Sequence, residues 1–257
     1  MHLADRVYLV TGAAGGIGAG VSEAIVEARG SVALADLDLE ATGTTAHRID
    51  PTGQRTSAVR CDVGSDSSVQ GAVAATVARF GRLDGVVNNA GVIEMNEARH
   101  ATSAAWAREL DTNVIGVFRV CQAALEPLTA SDQAAIVNVA SNCGKVGFPN
   151  MAGYNASKAA VINLTRSLAT EWAPLGINVN AVCPGAVDTP MLAGVADWLA
   201  DHQGGDPEDI LAGMALPQIG RKVAPIEVGR VVAFLLSPDA TVIRGQAINI
   251  DAGETPY

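Results

Sequence analysis

The chain has 257 residues, a net charge of −10, 49% hydrophobic residues and only 17% charged ones. That length suits one α/β core, and an acidic chain with no basic stripe excludes a partner recognised through a phosphate backbone. No basic leader precedes an apolar run, and the longest apolar runs fall far short of a membrane span, so a cytoplasmic chain with no membrane partner is expected.

Short apolar runs read as buried parallel strands at Val7–Val10, Val32–Ala35, Ser57–Cys61, Leu83–Val87, Ile136–Val139, Ile177–Val182 and Ala247–Ile250. Helical spacing fills the gaps at Val21–Ala28, Val69–Phe80, Ala104–Leu128, Met151–Trp172 and Ile226–Leu236. Strand–helix alternation implies a Rossmann-like, doubly wound parallel sheet of about seven strands with helices on both faces. No linker or repeat interrupts it, so residues 1–257 are expected to form one domain. Met191 to Gln218 breaks the pattern with two short amphipathic pieces around Gly204-Gly205-Asp206-Pro207. This insertion, at about 190–218, is a candidate substrate lid.

Two features point to a dinucleotide. After the first strand, Thr11-Gly12-Ala13-Ala14-Gly15-Gly16-Ile17-Gly18 opens directly into a helix. Glycines let the backbone approach a pyrophosphate, and the helix N-terminus offers free N–H groups. The second strand ends in Asp36-Leu37. A carboxylate there accepts hydrogen bonds from ribose hydroxyls and repels a 2′-phosphate, which favours NAD over NADP.

Tyr154 and Lys158 stand four apart in Gly153-Tyr154-Asn155-Ala156-Ser157-Lys158 and so share a helix face. A free phenol has a pKa of about 10 and is a poor base at neutral pH. A neighbouring ammonium favours the phenolate. Alone, such a pair is usually helix surface; behind a nucleotide loop it becomes a proton relay. Cys61, Cys121, Cys143 and Cys183 form no close pair, and His2, His47, His100 and His202 show no ligand spacing, so free thiols and no metal site are expected.

Together these residues resemble the classical short-chain dehydrogenases/reductases, over essentially the whole chain. The match comprises residues 11–18, Cys61-Asp62-Val63, Asn88-Asn89-Ala90-Gly91, Asn113, Ser141 placed 13 positions before Tyr154, Lys158, and Pro184-Gly185 with Thr189. The resemblance implies that Asn113, Ser141, Tyr154 and Lys158 form a catalytic tetrad. It also implies cofactor contacts from Gly12, Gly15, Gly16, Ile17, Gly18, Asp36, Leu37, Asp62, Val63, Asn89, Ala90, Gly91, Tyr154, Lys158, Pro184, Gly185, Val187 and Thr189. Asn113 would anchor a water beside Lys158. One departure is Asp251-Ala252-Gly253, where the family usually has two glycines after the aspartate.

The expected activity is hydride transfer between NAD(H) and a small secondary alcohol or ketone, with a polyol, diol or hydroxyketone favoured. Expected substrate walls are Glu94, Cys143, Phe148, Met191, Leu192 and Trp198. The lid segment carries Asp197, Asp201, Asp206, Glu208 and Asp209 and no Lys or Arg, which disfavours phosphorylated and CoA-linked substrates. The ends of the two long helices, Leu128–Asp132 and Glu171–Pro174, offer no basic patch for an acidic carrier protein. Reduction of 3-oxoacyl thioesters or steroids is the alternative activity. A non-catalytic dinucleotide sensor is the alternative class, which the intact tetrad disfavours. No further acid or base is evident beside Tyr154. Apolar faces around Val114–Phe118 and Ala156–Leu168, with the resemblance, imply a homotetramer.

Overall fold

A computed structural model describes residues 3–216 and 218–255; Pro217 of the expected lid, and His2, lie outside the described residues. Seven parallel strands form one sheet in the order β3-β2-β1-β4-β5-β6-β7. They are β1 (Val7–Thr11), β2 (Ser31–Asp36), β3 (Thr56–Arg60), β4 (Gly85–Asn88), β5 (Ala135–Val139), β6 (Asn178–Pro184) and β7 (Ala247–Ile250). Each coincides with an expected strand to within two residues. Strands β1, β4, β5 and β6 are buried along their whole length, which is why their sequences run apolar instead of alternating. The order reverses between β1 and β4, and at such a reversal the loops diverge and leave a crevice at the carboxyl ends of the strands.

The helices cover both faces. On one side lie α3 (Asp66–Phe80), α5 (Gly116–Ala123) and α7 (Ala152–Glu171), whose apolar side chains share a core with β1, β4 and β6. On the other lie α1 (Gly16–Glu27) and α10 (Pro225–Leu236). These two pack backbone to backbone: a Cβ on Gly229 would lie 2.3 Å from the Gly20 carbonyl oxygen. The helix α2 (Leu39–Ile49) was not expected. It buries only Thr42, Thr45 and Ala46, too few apolar residues to show a period.

The helix expected over Ala104–Leu128 is broken. It consists of α4 (Ser103–Leu110), a π-turn at Asp111–Ile115, α5, and α6 (Leu125–Thr129). The insertion forms α8 (Pro190–Gln203) and α9 (Pro207–Gly213), two pieces joined at the expected glycines. Among the described residues no helix is long and apolar enough to cross a membrane.

Candidate active site

The loop after β1 is shaped from below by the loop after β4. Asn89 Nδ2 donates to the carbonyls of Thr11 (3.0 Å) and Gly12 (2.8 Å), while Thr11 Oγ1 accepts from the N–H groups of Asn89 and Ala90, both at 3.1 Å. Gly12 has φ +66°, and a Cβ there would lie 2.8 Å from Ala90 Cα. A Cβ on Gly18 would lie 2.2 Å from the Gly12 carbonyl oxygen. By contrast, nothing lies within 4 Å of a Cβ built on Gly15, and no side chain caps α1 at that residue. The helix therefore presents unpaired N–H groups into open space, the chemistry that holds a pyrophosphate. Asp36 closes the far end: its Oδ2 accepts from Ala14 N (3.0 Å) and its Oδ1 from Asp38 N (3.3 Å). Each oxygen keeps acceptor capacity for a ribose hydroxyl.

Strand pairing adds a feature that linear reading missed. Asp36 sits in register with Arg60 of β3, so a guanidinium is carried on the strand beside that carboxylate.

The catalytic end is built by β5 and α7. A buried polar chain ties them together: Asn88 Nδ2 donates to Asn138 Oδ1 (2.8 Å), and Asn138 Nδ2 donates to Thr165 Oγ1 (2.9 Å). It holds the α7 face that carries Tyr154, Ser157 and Lys158 against the sheet, and all three side chains are buried. Lys158 Nζ donates to the Val139 carbonyl at 2.8 Å and lies 5.6 Å from the centre of the Tyr154 ring. Ser141, at the end of β5, accepts from Cys143 N at 3.1 Å and faces the Tyr154 phenol, where its hydrogen bond favours the phenolate. Asn113 is fully buried in the π-turn. Its amide donates to the Val92 carbonyl (2.9 Å) and to Ser157 Oγ (3.0 Å), and its Oδ1 accepts from Val92 N (2.8 Å). The extra residue of the π-turn turns Asn113 inward toward α7. A Cβ on Gly91 would lie 3.2 Å from Asn113 Oδ1 and 3.5 Å from Lys158 Nζ, so both polar groups face the same strip of backbone.

Burial dominates the electrostatics. It pushes the Tyr154 phenol above its ordinary value, with Cys143 and Glu109 reinforcing and Ser141 opposing. It pushes the Lys158 ammonium down to about 8. In the protein by itself desolvation outweighs the groups that favour the phenolate, so lowering the phenol requires further positive charge beside the ring.

One cavity of about 720 Å³ joins these two ends. Its wall includes Gly12, Gly15, Gly16, Ile17, Asp36, Asn89, Ala90, Gly91, Ser141, Tyr154, Lys158, Pro184, Gly185, Val187 and Thr189 of the expected cofactor and catalytic residues. Leu37 is exposed just outside, Gly18 is buried beneath the loop, and Asp62 and Val63 stand off the wall. Of the expected substrate residues, Cys143, Phe148, Met191 and Leu192 line it and two do not. Glu94 instead pairs with Arg108 beside a smaller cavity, and Trp198 stacks on His202 with ring centres 3.8 Å apart. The acidic residues of the lid point to solvent; Val195 and Leu199 of α8 line the cavity instead.

Sequence reading found Met191 but missed three further methionines and two carboxylates. All four methionines after the first residue, Met95, Met151, Met191 and Met214, line this cavity. Glu254 stands on its wall, accepting from Asn142 Nδ2 at 2.8 Å. Glu109 is buried behind Gly153, accepting from Glu94 N at 2.9 Å, and burial raises its carboxyl. The absence of a further acid near Tyr154 is thus not observed. Each of these residues is isolated in sequence and carries no spacing signal.

A family profile described as enoyl-(acyl carrier protein) reductase matches residues 12–255. The chain belongs to the classical short-chain dehydrogenase/reductase family. It is 40% identical over 254 residues to cis-4-hydroxycyclohexanecarboxylate dehydrogenase of Sinomonas cyclohexanicum, covering 98% of this chain and 97% of that one. It is 34% identical over 251 residues to cyclopentanol dehydrogenase of Comamonas testosteroni, covering 98% and 97%. Among solved structures, actinorhodin polyketide ketoreductase with NADPH superposes with a TM-score of 0.93 at 36% identity over the full length of both chains. The 3-ketoacyl-(acyl-carrier-protein) reductase of Brucella melitensis with NADH gives 0.85 at 31% identity, covering 98% of each chain. As a family member the chain is an oxidoreductase binding a nicotinamide dinucleotide, and its relatives comprise secondary-alcohol dehydrogenases and ketoacyl reductases.

Proposed function

We propose that this protein interconverts an uncharged, largely apolar secondary alcohol and its ketone with NAD(H), using Tyr154 as general acid and base. The observation that carries the reading is the convergence of Tyr154, Ser141 and Lys158 on a cavity otherwise walled by Ile93, Met95, Phe148, Met151, Leu192 and Val195. Beyond the proposed catalytic groups this wall offers a polyol's extra hydroxyls few polar partners, chiefly Asn142, Asn150, Gln203 and Glu254, and each hydroxyl left unpaired costs about 1–3 kcal/mol. It therefore favours a cyclic or alkyl alcohol over the polyol expected from sequence. The cyclopentanol dehydrogenases among the relatives support the same reading.

The bound dinucleotide supplies or accepts the hydride. The uncapped start of α1 and the open space at Gly15 suit its pyrophosphate, and Asp36 suits an unphosphorylated adenosine ribose. Leu37, Asp62 and Val63 would flank the adenine, and Pro184, Gly185, Val187 and Thr189 the nicotinamide end. Lys158 spends one proton on Val139 O and keeps two for ribose hydroxyls. In reduction Tyr154 donates its phenolic proton to the carbonyl oxygen while Ser141 Oγ donates a hydrogen bond to it, steadying the developing charge. In oxidation Tyr154 takes the hydroxyl proton. Burial keeps Tyr154 protonated, the state reduction requires; oxidation requires added positive charge beside the ring. Asn113 holds the loop after β4 and keeps one lone pair on Oδ1 for a water shared with Lys158.

We read residues 1–257 as one catalytic domain, cytoplasmic, with the segment from Met191 to Gln218 as its lid. Ile115 and Phe118, exposed on the faces expected to be apolar, support self-association as a homotetramer. A second reading, reduction of a carrier-linked 3-oxoacyl group, draws support from the ketoacyl reductases among the relatives.

The test is an absorbance assay with NAD and NADP against cyclopentanol, cyclohexanol, a polyol and an acyl-carrier thioester. NAD with a cyclic alcohol should give the highest kcat/KM. No absorbance change with any alcohol or ketone would overturn the hydride-transfer reading, and faster turnover of the thioester would favour the second one.

A further inference from the structure

Strand β7 ends in a tightly built turn. Asp251 accepts from Gly253 N and Thr255 N, both at 3.0 Å, and from Thr255 Oγ1 at 2.5 Å, while Glu254 N donates to the Asp251 carbonyl at 3.0 Å. Ala252 takes φ +50° within this turn, a conformation more natural to glycine. The turn throws the Glu254 side chain across the end of β6, and a Cβ on Gly185 would lie 2.9 Å from Glu254 Oε2. Asn142 Nδ2 donates to that same oxygen at 2.8 Å, and Ser141 Oγ donates to Asn142 Oδ1 at 3.3 Å. Glu254 thus stands at the catalytic end of the cavity, one amide away from the catalytic hydroxyl.

Its electrostatic setting is lopsided. Among the described residues three charged side chains line the cavity: Asp36, Lys158 and Glu254. Asp36 lies at the end of β2, away from the chemistry, and Lys158 is buried behind Tyr154 and bonded to Val139 O. Among the described residues no ion pair involves Glu254. A substrate at this end of the cavity therefore meets a carboxylate that no ion pair neutralises among the described residues.

We propose that Glu254 sets the charge specificity of the substrate site, rejecting alcohols that carry a carboxylate or phosphate and favouring neutral or ammonium-bearing ones. This rests on the hydride-transfer reading above. Two unit charges a few ångströms apart at a protein surface interact strongly enough to shift a specificity ratio by about tenfold to a hundredfold.

The experiment compares kcat/KM for cyclohexanol, 4-hydroxycyclohexanecarboxylate and 4-aminocyclohexanol in the wild type, Glu254→Gln and Glu254→Lys. Gln keeps an acceptor for Asn142 and removes the charge. The ratio of carboxylate to cyclohexanol should rise about tenfold in Glu254→Gln and further in Glu254→Lys. The ratio of amine to cyclohexanol should fall in the same order, with the changes carried by KM. A purely structural role through Asn142 and Ser141 would lower kcat for all three substrates alike and leave both ratios fixed, which would overturn the proposal. Wild-type use of the carboxylate equal to that of cyclohexanol would overturn it too. If no enzyme form turns over any alcohol, the hydride-transfer reading fails instead. Charge specificity is then read from calorimetric binding of cyclohexanecarboxylate against its amide: a preference for the amide that Glu254→Lys inverts supports the proposal, and an unchanged preference overturns it.

Discussion

The two halves of the cavity are built on opposite principles. The dinucleotide half is built around a backbone loop: Gly12 and Gly18 are locked against their neighbours, and the Asn89 side chain fixes the Thr11 and Gly12 carbonyls at 3.0 and 2.8 Å. The substrate half is made of side chains, four of them methionines, on a turn, two loops and the helices α8 and α9. Methionine has three rotatable bonds and a polarizable sulfur and fills irregular space. A rigid half suits a ligand whose shape never changes, and a soft half suits substrates that differ. The proposed catalytic residues stand at the seam, with Asn113 and Lys158 anchored through Val92, Ser157 and Val139.

That contrast can be broken at the seam first. Lys158→Met should lower turnover by about 10²–10⁴-fold, because Tyr154 loses its charge partner. It should also raise the melting temperature near pH 7. Burial pulls Lys158 down to about 8 from 10.5, so its buried charge destabilises the fold fully below pH 8. The thermal gain should fade as pH climbs from about 8 to 10.5; a gain that grows with pH would contradict the assignment.

A smaller effect is expected in the rigid half. Gly18→Ala drives a methyl toward the Gly12 carbonyl and should destabilise by about 1–3 kcal/mol while weakening NADH binding, measured by fluorescence titration. Asp36→Asn should shift the NAD-to-NADP ratio of kcat/KM toward NADP by about tenfold, with the neighbouring Arg60 free to serve a 2′-phosphate. Asp36→Asn together with Arg60→Ala should lose that gain. In the soft half, Met151→Leu or Met214→Leu should cost less than about 1.5 kcal/mol in stability. Each should narrow the range of ring sizes accepted in a ketone panel. Equal sensitivity of both halves to such conservative changes would dissolve the distinction.

The same division governs what could be read from sequence. Strands buried along their whole length announce themselves as apolar runs, so β1, β4, β5 and β6 were legible to within two residues, and the less buried β3 and β7 were legible from shorter apolar runs. The glycine loop, Asp36 and the Tyr154–Lys158 pair were legible because their spacing is local and fixed by one turn of helix or one strand end. The π-turn was not: one extra residue in a helical turn leaves the apolar period nearly intact, so Ala104–Leu128 read as continuous. Nor were Glu254, Asn142, Glu109, Met95 and Met214. They come from the loops after β4, β5 and β7, from α4 and from the residue after α9, and nothing in their local sequence marks where those elements converge. Trp198 and Glu94 failed for the same reason in reverse: plausible wall residues by type, they face a histidine ring and an arginine instead.

The proton-transfer role of Tyr154 carries the rest, and Tyr154→Phe tests it most directly. The measurement is single-turnover reduction of a cyclic ketone by bound NADH, with NADH affinity titrated in parallel. The expected result is NADH affinity within about threefold of wild type and a reduction rate lower by at least about 10²-fold. Retention of the wild-type rate by a variant that binds NADH normally would contradict the assignment.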